Sequence, residues 1–167
     1  GRLPVTFYRG MDQVPEFTDY RMEGRTYRFL KDAPAYPFGY GLSYTRFAYE
    51  GLTAAAREGG LDLTFVVRNV GDRDGREVAQ AYVRWIDPAW RTPLRQLGAF
   101  KAVFLEAGAA QTLTLRIEPE QLAVYDEEGV PHPHAGALEV YVGGGQPDAR
   151  TLALTGNAPL SVRVNLA

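Results

Sequence analysis

The side chains in this sequence with the clearest catalytic potential are two groups of carboxylates. Asp19 and Glu23 lie four residues apart, and three acidic residues follow one another at 126–128. Two carboxylates can act as general acid and nucleophile when they lie on either side of a scissile bond. The acidic run ends in glycine, which is typical of a solvated turn, and basic residues near the first pair favour ion pairs: Arg21, Arg25 and Arg28. We therefore expect these carboxylates to be structural, and name no catalytic residue.

Two further stretches could bind an ion. His132 and His134 flank Pro133, but the acidic residues nearby do not have the spacing of a metal site. The three glycines at 143–145 lack the Lys-Ser/Thr pair and the following helix of a phosphate loop. We predict an exposed loop and a turn, with no metal and no cofactor.

Composition excludes several classes of protein. The chain has 167 residues, 46 % hydrophobic and 23 % charged, with a formal net charge of −2 and no cysteine. A polyanion partner is disfavoured, disulfides and thiolate chemistry are excluded, and no apolar run is long enough to span a bilayer. We expect neither a nucleic-acid nor a membrane partner. The first five residues, GRLPV, lack an initiator Met and signal-peptide features, so we expect any signal region to lie upstream.

The most unusual stretch is residues 36–44, YPFGYGLSY. Its proline and two glycines fix or permit special backbone angles, and its aromatic rings need a surface to pack against. Twelve of the chain's twenty aromatic residues lie within residues 1–49, which argues against disorder. We predict a short strand at residues 1–8 and, after it, an irregular segment that packs on a neighbouring domain. The expected interdomain seam consists of Tyr36, Phe38, Tyr40 and Tyr44.

From residue 45 onward, short apolar segments alternate with turn signals. The clearest is residues 61–68, in which leucine, phenylalanine and valine alternate with polar residues. Such a pattern predicts an all-β, immunoglobulin or fibronectin type III-like antiparallel sandwich of about seven strands, with one helical turn at 119–122. We divide the chain into residues 1–44, a terminal strand with an aromatic linker, and residues 45–167, the sandwich. The predicted strands cover residues 46–52, 61–68, 77–86, 96–105, 112–117, 138–142, and a last one made of 151–154 and 161–166.

Several motifs resemble the C-terminal part of glycoside hydrolase family 3 enzymes, the β-glucosidases and β-xylosidases. The resemblance is carried by GRTYRF at 24–29 and YPFGYGLSY at 36–44, then by NVG at 69–71, GREVAQAYV at 75–83 and VYVG at 140–143. Residues 1–7 resemble the last strand of that family's α/β sandwich domain. The resemblance implies that residues 45–167 are the family's fibronectin type III-like domain.

The resemblance also implies a role. Members are retaining, exo-acting β-glycosidases, whose two carboxylates lie about 5 Å apart in an upstream barrel and α/β sandwich domain. This chain would be a non-catalytic module, inactive alone, whose partners are those upstream domains and, through them, β-linked glucosides or xylosides. Whether the protein forms a homodimer is left open by the sequence. We expect a periplasmic or secreted bacterial protein, with the cytoplasm as the alternative.

Residues 16–36 would cross the missing domains, so their aromatic and arginine side chains are candidates for the substrate rim: Tyr20, Arg25 and Tyr27. Trp90, in a loop, is the candidate for an exposed sugar platform, whereas Trp85 fits the strand alternation and is expected in the core. Two alternatives remain, a free-standing carbohydrate-binding module and an adhesion-type fibronectin domain. The first predicts a line of exposed aromatics on one sheet, and the second leaves residues 1–44 unexplained.

Overall fold

A computed structural model describes residues 1–166 and shows two antiparallel sheets facing each other. The strands are β1 (Phe47–Arg57), β2 (Gly60–Asn69), β3 (Gly75–Trp85), β4 (Gln96–Leu105), β5 (Ala110–Ile117), β6 (Val124–Tyr125), β7 (Pro131–His132), β8 (Gly136–Gly143) and β9 (Leu160–Leu166). The helices are α1 (Thr26–Phe29), α2 (Pro119–Leu122) and α3 (Ala149–Thr155), and Met11–Gln13 forms a 3-10 turn.

The two main sheets form the predicted β-sandwich. One has the order β1-β2-β5 and the other β4-β3-β8-β9, while β6 and β7 pair as a small hairpin. Together the two main sheets contain seven strands, which confirms the fibronectin type III-like class. The last residue of the predicted second domain, Ala167, lies outside the described residues.

The core lies between the sheets and follows from the alternation in β2 and β3. In β2 every second side chain is buried, and Leu63 lies opposite Leu115 of β5. In β3 the buried set includes Trp85, whose indole N–H donates to the Leu122 carbonyl at 3.0 Å, as expected for a core tryptophan. Burial of each large apolar side chain contributes about 1.5–3 kcal/mol, and these two rows of residues therefore hold the sandwich together.

A buried asparagine fixes the turn between β2 and β3. The Asn69 side-chain oxygen accepts hydrogen bonds from Thr45 Oγ1 at 2.6 Å and from Gly71 N at 3.1 Å. Its amide nitrogen donates to the carbonyls of Arg73 at 2.7 Å and Leu105 at 3.1 Å. One side chain thus joins the turn, the end of β4 and the entry to β1.

The predicted strand at residues 151–154 is wrong, because these residues lie in α3. Asp148 is the N-cap residue, immediately before the helix, and its side chain accepts a hydrogen bond from Thr151 N at 2.6 Å. Gly156, with φ at +71°, ends it. The seventh strand is β9 alone, whereas the predicted helical turn at 119–122 is present as α2. Within residues 1–166, no helix has the length and apolar character needed to cross a membrane.

The N-terminal segment, residues 1–44, packs along the sandwich with little regular structure. The predicted strand over residues 1–8 is reduced to a single bridge between Phe7 and Tyr36. Leu3 N donates to the Tyr40 carbonyl and Gly39 N to the Leu3 carbonyl, both at 2.8 Å. Pro4 has no N–H to continue the pairing, so the two stretches run side by side without forming a ladder.

Candidate functional site

Gly39 attaches the N-terminal segment to the outer face of β3. Gln80 Nε2 donates to the Gly39 carbonyl at 3.0 Å, and Tyr82 Oη donates to Gln80 Oε1 at 2.7 Å. Gly39 has φ at +78°, and a Cβ at this position would collide with Gln80 Oε1 and lie 2.7 Å from Tyr82 Oη. The close approach of backbone to side chain therefore requires glycine here.

An aromatic stack beside this attachment fixes the rest of the motif. Tyr27 and Phe38 stack with centroids 4.2 Å apart, and the edge of Tyr27 meets Tyr82 at 6.2 Å. The Tyr27 hydroxyl accepts a hydrogen bond from Leu97 N at 3.1 Å. Tyr27, a predicted rim residue, thus contacts the sandwich itself, and Phe38, a predicted seam residue, packs on Tyr27.

A buried ion pair connects the first residues to the start of β3. Arg2 Nη2 lies 2.6 Å from Glu77 Oε1, and the Tyr49 hydroxyl donates to the same oxygen at 2.8 Å. Burial raises the pKa of Glu77, against the opposing effects of Arg2 and Tyr49. The pKa of Tyr49 is also raised, by burial and by the Glu77 charge. We call the contacts at Arg2, Tyr27, Phe38 and Gly39 the anchors.

A loop within the segment is braced by its own arginines. Arg25 Nη2 donates to the carbonyls of Glu16 at 2.6 Å and Asp19 at 2.8 Å. Arg21 pairs with Asp19 at 2.8 Å, and this hydrogen-bonded guanidinium lowers the pKa of Asp19. The expected pairing of Asp19 is confirmed. That of Glu23 is wrong, since Glu23 lies near Lys31 and Arg91, at 3.4 and 4.0 Å.

Several aromatic side chains of the segment are exposed in spite of these anchors. Phe17, Tyr20 and Tyr44 have 89, 84 and 92 % of their surface exposed. Phe7 and Tyr36 are about half exposed, in edge-to-face contact at 6.5 Å, and Tyr36 stacks on Tyr40 at 5.6 Å. We call Phe7, Phe17, Tyr20, Tyr36 and Tyr44 the exposed aromatic set. Apolar surface displayed on a braced backbone is typical of a protein-contact site.

The other sequence candidates lie elsewhere. The sequence predicted that Trp90 is an exposed platform. This prediction is wrong, because Trp90 is half-buried and stacks on His132 with centroids 4.5 Å apart. His132 Nε2 lies 2.7 Å from Asp126, and this contact is the main cause of a lowered pKa for Asp126. Within residues 1–166, no three His, Cys, Asp or Glu side chains are grouped as metal ligands would be. The Gly144 carbonyl accepts a hydrogen bond from Gln80 Nε2 at 3.1 Å.

Sequence reasoning missed the side chains of the sandwich that receive the segment: Glu77, Gln80 and Tyr82. A signal was available for Glu77, which has the same strand parity as the buried residues Ala79 and Ala81. A carboxylate facing the core needs a cation or donor partner. Nothing in the local sequence indicates that the partner is Arg2.

Comparison with known proteins supports the assignment of the fold. Residues 77–146 match the fibronectin type III-like domain. A xylan 1,4-β-xylosidase from Xylanibacter ruminicola is 42 % identical over 77 % of this chain, and a periplasmic β-glucosidase from Salmonella typhimurium is 30 % identical over 86 %. The chain spans only 15 % and 21 % of the lengths of these relatives.

Solved structures agree. A β-D-glucoside glucohydrolase from Trichoderma reesei matches 100 % of this chain with a TM-score of 0.84 and 26 % identity, and the chain covers 26 % of it. β-Glucosidase 3B from Thermotoga neapolitana matches 99 % with a TM-score of 0.83 and 30 % identity, and the chain covers 24 % of it. Residues 77–146 belong to the fibronectin type III-like domain family, and the chain matches the C-terminal portion of glycoside hydrolase family 3 β-glucosidases and β-xylosidases.

Proposed function

We propose that this chain is a non-catalytic module of a retaining, exo-acting β-glycosidase, and that it supports the domains that hydrolyse β-linked glucosides or xylosides. The observation that carries the proposal is the exposed aromatic set on an anchored segment. The anchors fix the backbone to the sandwich, yet Phe17, Tyr20 and Tyr44 stay open to solvent. Their natural cover is the remainder of a larger enzyme, since relatives of this chain are about four to five times longer.

The hydrogen bonds and ion pairs of three carboxylates favour a structural role for this chain over a catalytic one. A retaining mechanism needs one free nucleophilic carboxylate and one acid/base about 5 Å away. Asp19 is held by Arg21, Asp126 accepts hydrogen bonds from His132 and two backbone amides, and Glu77 is buried against Arg2. Each of these three is committed to a structural contact, which supports placing hydrolysis in the domains that would cover the exposed aromatic set.

Two finer points belong to this proposal. The substrate class, β-linked glucosides or xylosides, is taken from relatives named β-glucosidase and β-xylosidase. The proposed location is the periplasm or outside the cell, which is supported by the Salmonella typhimurium relative, named a periplasmic β-glucosidase. Tyr20 is retained as a substrate-rim residue, because its ring is free to approach a sugar.

The test is a chimeric enzyme. The region of the Xylanibacter ruminicola xylosidase that matches this chain is replaced by the chain, and hydrolysis of an aryl β-xyloside is measured. We expect the chimera to be active, the chain alone to be inactive, and the parent enzyme truncated before this region to lose activity or stability. Hydrolysis by the chain alone, or full activity and stability of the truncated parent, would contradict the proposal.

A further inference from the structure

A groove of about 570 Å³ lies at the end of the sandwich remote from Arg2 and Glu77. Glu77 is near the start of β3, whereas the groove is beside α2, which Trp85 at the end of β3 contacts through Leu122. Its walls are the β1–β2 turn, α2 and the β6–β7 hairpin. The groove is thus well separated along β3 from the ion pair that holds the first residues of the segment.

One wall offers flat apolar surfaces. Tyr125 is 51 % exposed and lies directly opposite Pro131 in the hairpin, so the two rings share one face of it. Pro119 and Pro133 also line the groove. Such surfaces pack well against the C–H faces of pyranose rings, and a volume of this size is within the usual range for a ligand site.

The hairpin that carries Tyr125 is held in place before any ligand binds. The Asp126 side chain accepts hydrogen bonds from Val130 N at 2.8 Å and Glu128 N at 3.1 Å, and contacts His132 Nε2 at 2.7 Å. The His132 ring stacks on Trp90 with an interplanar angle of 25°. Preorganisation of this kind reduces the entropy lost on binding.

The polar side chains of the groove select the ligand chemistry. Glu58 and Glu120 are exposed carboxylates in its walls, and Arg57 lies beside them. Two carboxylates repel an anionic ligand, and a wholly apolar ligand would desolvate them without hydrogen bonds. A neutral ligand with many hydroxyl donors and apolar ring faces satisfies both parts of the site.

We propose that this groove binds a short, neutral, β-linked saccharide chain, with Tyr125 as the stacking surface and Glu58 and Glu120 as acceptors for sugar hydroxyls. The choice of saccharide rests on the proposed function, since the relatives act in the chemistry of β-glucosides and β-xylosides. Trp90, the platform expected from sequence, instead supports His132 from behind.

In the experiment the isolated chain is titrated with cellotetraose and with xylotetraose. Binding is measured by calorimetry and by tryptophan fluorescence, which responds to changes in the stack of Trp90 on His132. We expect a dissociation constant of about 0.1–1 mM for at least one of them, as suits one open stacking site. Tyr125→Ala should weaken binding about 10-fold, and Glu120→Gln by a smaller factor. Tyr125→Leu keeps the apolar volume without the ring and serves if the alanine variant does not fold.

The matched control is Phe104→Ala, which removes an exposed aromatic ring opposite Arg76, near the start of β3 and remote from the groove. The affinity of this variant for the saccharides should be unchanged. Failure of both saccharides to bind at about 10 mM, or equal binding by wild type and Tyr125→Leu, overturns this inference. Neither result affects the chimera test, which depends on the exposed aromatic set. If Tyr125→Ala instead destabilises the chimera while the chain binds no saccharide, the groove is a domain contact and the saccharide site is refuted.

Discussion

The sandwich and the N-terminal segment use aromatic side chains in opposite ways. In the sandwich, Phe65 and Trp85 are buried in the core between the sheets, and their strands are paired by backbone hydrogen bonds. In the segment, Phe17 and Tyr20 are exposed, and the backbone is held by scattered hydrogen bonds within the segment and by a few side chains of the sandwich, among them Gln80. The sandwich therefore contains its own source of stability, whereas the segment is an attached surface whose remaining apolar area awaits a partner.

The largest effect on stability should follow from removing a core ring. Phe65→Ala should lower the free energy of unfolding by about 3–5 kcal/mol, because it leaves a cavity between the sheets. The control is Phe104→Ala, which deletes the same side chain from the exposed outer face of β4 and should cost less than about 0.5 kcal/mol. Urea unfolding of both variants checks this. If the two variants lost similar amounts of unfolding free energy, burial would not explain the stability contributed by Phe65.

The next largest effect should come from the β2–β3 turn of the sandwich, which also holds the entry to β1 through Thr45. Asn69→Ala removes four hydrogen bonds and leaves Thr45, Gly71 and two carbonyls without their partner, at a cost of about 2–3 kcal/mol. Asn165→Ala, on an exposed position of β9, is the matched control and should change stability by less than about 0.5 kcal/mol. Thermal unfolding gives both values. A loss below about 1 kcal/mol for Asn69→Ala would show that water replaces the amide in the turn.

An intermediate, pH-dependent effect is expected at the ion pair between segment and sandwich. Burial raises the pKa of Glu77 above its ordinary 4.5, and Arg2 opposes this rise. A raised carboxyl pKa means that the folded state favours the protonated form, so Glu77 stabilises most below pH 4.5 and loses this contribution as pH rises. Arg2→Met raises the pKa further. The stability lost through the Arg2→Met substitution should be small at pH 4.5 and grow to about 2 kcal/mol at pH 7, where Glu77 is charged and without its partner.

Hydrogen exchange at the amides of Leu3 and Gly39 measures this cost, since both amides bond within the segment. The double variant Arg2→Met/Glu77→Gln removes the charge as well as its partner, so its protection should be independent of pH over the same range. A cost for Arg2→Met that is equal at pH 4.5 and pH 7 would mean that Glu77 does not change protonation in this window.

The sequence predicted the sandwich well because its strands are encoded locally. Alternation in β2 and β5 is visible without a structure, and so is the turn at Asn69. The failure at residues 151–154 was also local: Asp148 three residues before Thr151, with Gly156 beyond, is a helix-cap pattern that outweighs a short apolar run. An apolar run that favours a strand and a capping pattern that favours a helix overlap here, and the structure forms the helix.

The segment was predictable in composition but not in detail. The motif at residues 36–44 identified a packed aromatic stretch, yet it did not reveal which rings face the sandwich. Phe38 is half-buried against Tyr27, while Tyr44 is open to solvent. That division depends on Gln80, about forty residues away along the chain, which binds the Gly39 carbonyl and is itself held by a hydrogen bond from Tyr82. Contacts set by distant residues cannot be read from local pattern.

The smallest effect on stability should occur in the exposed aromatic set, where the two regions differ most. The double variant Phe17→Ser/Tyr20→Ser should change the unfolding free energy of the isolated chain by less than about 0.5 kcal/mol, because neither ring is packed. In the chimeric xylosidase, the same variant should lower thermal stability and activity, since there the rings are expected to be covered. Phe104→Ser, an exposed ring of the sandwich, is the control and should leave the chimera unchanged. Calorimetry of both proteins separates the cases. A stability loss in the isolated chain would place these rings within its own core, whereas an unaffected chimera would show that the set is not the docking surface.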